Sequence, residues 1–168
     1  MGRQLADIFS VSQSQLGRIF TTWVCFLATV LKELLVLWPS QEEVKCNLPR
    51  SFSKYPNTRV IIDCTEMYIE KPTSPYAQRA TWSEYKGHNT VKALVGITPS
   101  GYFSFISKFW TGTTSARKIT QESGLRDLQE EGDSVMADRG STFETSLLKG
   151  KSTLTYLPFQ RKVTFNIT

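Results

Sequence analysis

Arg59-Val60-Ile61-Ile62-Asp63-Cys64-Thr65-Glu66-Met67-Tyr68-Ile69-Glu70 is the stretch that decides the fold. Its β-branched and apolar residues specify a strand, and an aspartate sits near the middle of it. Downstream, Lys71 to Lys86 is rich in Pro, Ser and aromatic residues and reads as a loop. Val91 to Thr98 is a second strand, Pro99-Ser100-Gly101 a hairpin signal, and Tyr102 to Trp110 a third strand. Ser115 to Glu131 has helical spacing at Ile119, Leu125 and Leu128, weakened by Gly124. Ser134 to Ala137 is a short buried strand that delivers Asp138, after which Arg139 and Gly140 turn the chain. Three strands, a crossover helix and a fourth strand make an α/β layer.

Upstream the pattern is helical. Leu5, Ala6, Ile8 and Phe9 form one apolar patch, and Ser12 is placed to cap a new helix. Leu16, Ile19, Phe20 and Trp23 then recur at three- and four-residue spacing on one face, opposite Gln13, Ser14, Gln15 and Arg18. The run continues to Leu35, and Pro39 stops it. A short helix around Gln41 to Val44 and a linker lead to the first strand.

At 168 residues, 40% hydrophobic, the chain is long enough for one cored domain with a small appendage. The net charge of +5 suits a nucleic-acid partner, and equally an ordinary slightly basic protein. Cys25, Cys46 and Cys64 form no paired motif and His88 is the sole histidine, which argues against a Cys/His zinc site. Lys32 and Glu33 interrupt the apolar run of Ile19 to Trp38, leaving pieces too short to span a bilayer. No membrane association is expected.

Two constellations carry chemistry. Asp63 and Asp138 each lie by an apolar strand, where a carboxylate is costly unless it is paired or binds a cation. Brought together, they would suit Mg²⁺ or Mn²⁺, and two such ions activate water and stabilise the leaving oxygen of a phosphodiester. The alternative is that each caps a turn or pairs with a Lys or Arg. Residues 5 to 20 have the helix-turn-helix pattern, with Gln13, Ser14, Gln15 and Arg18 facing a DNA groove, although Ser10 stands where the turn often has Gly. The alternative there is a helical hairpin with a solvated polar face. Tyr76, Arg79, Trp82, Tyr85 and Lys86 mix base-stacking and phosphate-binding types. A partly buried loop accounts for them as well and is the preferred expectation.

The ordered set of Ile61-Ile62-Asp63-Cys64-Thr65-Glu66, Trp82-Ser83-Glu84-Tyr85-Lys86-Gly87, Lys92-Ala93-Leu94-Val95-Gly96-Ile97-Thr98-Pro99-Ser100-Gly101, Gly112-Thr113-Thr114-Ser115 and Val135-Met136-Ala137-Asp138-Arg139-Gly140 resembles the DDE superfamily endonuclease domain of PIF/Harbinger-like transposases. The segment from Leu5 to Phe20, with Trp38-Pro39-Ser40 and Asn47-Leu48-Pro49 beyond, is similar to the helix-turn-helix that precedes it there. The resemblance implies a helix-turn-helix segment over 1–50 and, over 57–168, a ribonuclease-H-like mixed sheet with flanking helices. It implies metal-dependent cleavage and joining of DNA in the nucleus, with Asp63 and Asp138 as catalytic acids and ligands of Mg²⁺ or Mn²⁺. A homo-oligomer or an accessory DNA-binding protein is the implied protein partner.

The chain departs from that pattern. The family's third acid is a Glu on a later helix, and no Asp or Glu follows Glu144, itself too close to Asp138. Ala116 stands where an Asp is common. Lys149-Gly150-Lys151-Ser152 resembles a segment that normally lies further on, so a truncated domain is expected, impaired as a nuclease. The rival readings are a DNA-binding module without chemistry and a remnant that folds poorly, with an apolar sheet edge left open.

Overall fold

The computed structural model describes residues 2–138 and 152–156. The chain divides into two units, Met1–Leu37 and Trp38–Thr168.

In the first unit, α1 (Gly2–Ile8) and α2 (Gln13–Leu35) flank a tight turn. Ser12 caps α2 as expected, its hydroxyl accepting from the Gln15 backbone N–H at 3.2 Å. The turn needs a left-handed residue, and Ser10 supplies it at φ 53°. That conformation costs a residue with a side chain about 1–2 kcal/mol, which is why glycine is usual there. The second helix is 23 residues long, not short, and buries no residue completely. No helix among the described residues is long and apolar enough to cross a membrane.

The second unit opens with α3 (Gln41–Cys46). Ser40 and Glu43 close a reciprocal cap on it: the Glu43 N–H donates to the Ser40 hydroxyl and the Ser40 N–H to the Glu43 carboxylate. Next come β1 (Thr58–Tyr68), α4 (Pro75–Thr81), β2 (Trp82–Ser83), β3 (His88–Ile97), β4 (Phe103–Ile106) and β5 (Trp110–Thr111). The unit continues with α5 (Ala116–Glu122), β6 (Ser134–Ala137) and β7 (Thr153–Tyr156).

The seven strands form one sheet in the order β2-β3-β1-β6-β7, with β4 and β5 also paired to β3. β3 runs antiparallel to its neighbours, whereas β6 lies parallel to β1 and β7 parallel to β6. This is a ribonuclease-H-like fold: an antiparallel half built from hairpins, then a parallel half reached by crossover. Val60 and Ile62 of β1, Leu94 of β3, Phe105 of β4, and Val135 and Ala137 of β6 point to one face. Ile119 of α5 and Leu125 cover them, so the helical layer sits on that face. Gly96 lies opposite Ile62, and a Cβ on it would fall 2.8 Å from the Val60 side chain and 3.1 Å from that of Phe105. Its bare backbone lets β1, β3 and β4 share the core.

Four expectations change. The loop from Lys71 to Lys86 contains a helix and a strand, α4 and β2. The third strand is two pieces, β4 and β5, and the expected helix over Ser115 to Glu131 is α5 followed by a 3-10 turn, Leu125–Leu128. Gly124, at φ 85°, separates them. Beyond β6 the sheet continues, because β7 adds a fifth strand to its main ladder. The expected turn at Arg139 and Gly140 and the acid Glu144 lie outside the described residues.

Candidate active site

The parallel register of β1 and β6 positions the two aspartates. Ile62 pairs with Ala137, the last pair in the ladder. Asp63 and Asp138 are the next residues on the two adjoining chains, Asp63 still within β1 and Asp138 just past the end of β6. Ile62 and Ala137 are buried in the core, so alternation turns Asp63 to the reverse face, away from the helical layer. Asp63 and Asp138 are both exposed. Among the described residues Asp63 accepts no hydrogen bond and joins no ion pair, so no lysine or arginine neutralises it.

The surrounding acids are committed elsewhere. Glu66 lies three residues along β1 on the opposite face, where its carboxylate accepts the Thr90 hydroxyl at 2.6 Å. Burial would raise the pKa of Glu66, but the hydroxyls of Ser83 and Thr90 and the charges of Lys92 and Lys86 outweigh it and hold the carboxyl below its ordinary value. Asp133 is buried against Arg59. Cys64, beside Asp63, packs on the core; burial pushes its thiol up, reinforced by the charges of Asp63 and Glu66 against that of Lys92.

The donor set is thus two hard oxygen ligands at the surface, which fits Mg²⁺ or Mn²⁺ completed by water and phosphate oxygens. Among the described residues no group of three or more His, Cys, Asp and Glu gathers to hold a metal.

A family profile described as DDE superfamily endonuclease matches residues 62–163. The chain belongs to the DDE superfamily endonucleases. The match begins one residue before Asp63 and spans Asp138, whereas Gln13, Ser14, Gln15 and Arg18 precede it. No curated protein and no solved structure matches the chain.

In this DDE endonuclease the expected DNA-reading residues occupy the first two turns of α2, all exposed. The Ser14 hydroxyl lies 3.1 Å from that of Ser12. Gln15 and Arg18, three residues apart on one helix face, border a shallow cleft with Ile19, Thr22 and Trp23. The loop is partly buried as expected, through Thr81 and Ser83, but its rings stand out: Tyr76 is 78% exposed and Tyr85 84%. Its residues line a cleft that composition alone did not distinguish from a packed loop.

Proposed function

We propose that this chain is a metal-dependent DNA endonuclease and strand-transfer domain of the PIF/Harbinger-like transposase type, acting in the nucleus. The observation that supports the reading is the parallel β1–β6 register, which ends at Ile62 and Ala137, one residue before Asp63 and Asp138. Two carboxylates at neighbouring strand ends, with no basic side chain of the described residues against Asp63, favour an external cation. The bound ion would supply a Lewis acid for a phosphodiester oxygen and lower the pKa of water. The chain's own contribution is to fix two ligands on rigid strands, which limits reorganisation when substrate arrives.

The reading rests on two acids, Asp63 and Asp138, where the resemblance implies three. We therefore expect weak activity from the chain alone, with a second copy or an accessory DNA-binding protein completing the assembly. Supercoiled plasmid incubated with Mn²⁺ or Mg²⁺ should be nicked slowly, and Asp63→Asn or Asp138→Asn should each abolish nicking. Robust cutting that survives Asp138→Ala would sink the reading.

A second reading is a DNA-binding module without chemistry. It is favoured by the α1–turn–α2 geometry, which leaves Gln13, Ser14, Gln15 and Arg18 exposed at one helix start. Duplex binding that weakens with salt and with Arg18→Ala, in a chain that never cuts, would select it.

A further inference from the structure

A second candidate site lies at the far end of β1. Lys71, Pro75, Gln78, Arg79, Trp82, Gly87, His88 and Asn89 border an open cleft of about 580 Å³. Its wall is built. Asn89 is 3% exposed, and its amide donates to the Gln78 carbonyl and to the Thr81 hydroxyl, both at 2.9 Å. The Gln78 amide donates to the Pro72 carbonyl at 2.8 Å, tying α4 to the chain before it. His88 stacks edge-on against Tyr68, ring centroids 5.3 Å apart.

Lys71 and Arg79 are exposed and form no ion pair among the described residues. From residue 71 to residue 92 four lysines and arginines face one acid, Glu84. The Trp82 indole is 46% exposed at the cleft, with the rings of Tyr76 and Tyr85 still more open nearby. Lys86 lies 5.1 Å over the Tyr85 ring. Flat rings beside unpaired cations are what an unpaired nucleic-acid strand requires: the rings stack on bases and the cations follow phosphates.

We propose that this cleft binds single-stranded DNA. Trp82 stacks on a base while Lys71 and Arg79 hold flanking phosphates. β1 leads from Asp63 to Tyr68 over five residues, about 17 Å at the ordinary strand rise. A strand lying in the cleft therefore reaches the aspartates within a few nucleotides. The choice of DNA over another polyanion rests on the nuclease reading; the cleft does not.

The test is fluorescence anisotropy of the full chain with a labelled oligothymidylate, in EDTA, across a salt series. The double variant Lys71→Ala/Arg79→Ala should bind more weakly, with a salt slope shallower by about 1.4, for two phosphates on a single strand. Trp82→Ala should weaken binding at least about fivefold, and Trp82→Phe should restore most of it. Lys118→Ala, on α5, should leave affinity and slope unchanged. Unchanged binding in the double variant overturns the proposal, and so does a Trp82→Ala loss that is equal for heparin, which has no bases. Because EDTA removes the metal, cleft binding without any Mn²⁺-dependent nicking would reject the nuclease reading and leave the cleft standing. Nicking without cleft binding would do the reverse.

Discussion

Two charged clusters sit on the β1–β6 strand pair, and they are built in opposite ways. At the start of β1, Arg59 is 2% exposed and meets Asp133, also 2% exposed, at 3.4 Å and Glu130 at 3.1 Å. Asp133 accepts in addition from the Gln41 amide at 3.1 Å and the Glu130 backbone N–H at 2.8 Å. The Trp38 ring covers the guanidinium at 5.4 Å. Four residues along the same strand, Asp63 stands exposed beside Asp138 with no cation of the described chain against it. Burial is tolerable for Asp133 because its charge is answered inside the protein. Asp63 is kept at the surface, with no basic side chain of the described residues to answer it. The first cluster serves the fold, and the second is the pair that the proposed metal site uses.

The sharpest way to break this contrast is to remove one member of the buried cluster. Asp133→Ala should destabilise the chain by about 3–5 kcal/mol, because buried Arg59 loses its buried anionic partner and keeps only Glu130, whose side chain is 58% exposed. Chemical denaturation would measure it, and a loss under about 1 kcal/mol would show that the cluster does not hold β1 to β6. The exposed pair should respond to metal instead. Mn²⁺ at a hundred times its dissociation constant should add about 2.7 kcal/mol to the wild type and nothing to Asp63→Asn.

A smaller effect belongs to Glu66, the acid on the opposite face of β1. Its carboxyl is held below its ordinary value by hydroxyls and lysines that outweigh burial. Its stabilising contribution is therefore complete above the unfolded pKa of about 4.3 and is lost as pH falls through the lower folded value. Glu66→Gln should flatten the decline of stability on acidification through that window; an unchanged acid limb would contradict the assignment. The smallest effect is expected without metal: Asp63→Asn should shift stability by no more than about 0.5 kcal/mol in either direction. A large loss would mean that Asp63 belongs with Asp133 as a structural acid.

The strands β1, β3 and β6, the hairpin at Pro99-Ser100-Gly101 and the cap at Ser12 rest on local chemistry, so periodicity and turn residues reveal them. What escaped depends on partners distant in sequence. α4 has seven residues, too few for a helical period to stand out, and it starts on Pro75 inside a stretch that reads as loop. β7 is four residues of Thr-Leu-Thr-Tyr, specified mainly by its ladder with β6. Asp63 and Asp138 are recognisable one by one as carboxylates beside apolar runs. Their adjacency is a property of a parallel register between segments 75 positions apart, which no local pattern encodes. The Lys71 to Lys86 segment has the composition of both a packed loop and a binding surface, and only the exposure of its rings separates the two.

Mn²⁺ titration by isothermal calorimetry tests the central claim most directly. The wild-type chain should give a saturable isotherm that is lost in both Asp63→Asn and Asp138→Asn, while each variant unfolds as cooperatively as the parent. Binding that persists unchanged in both variants would place the metal elsewhere, and no binding at millimolar Mn²⁺ would contradict the pair as a metal site.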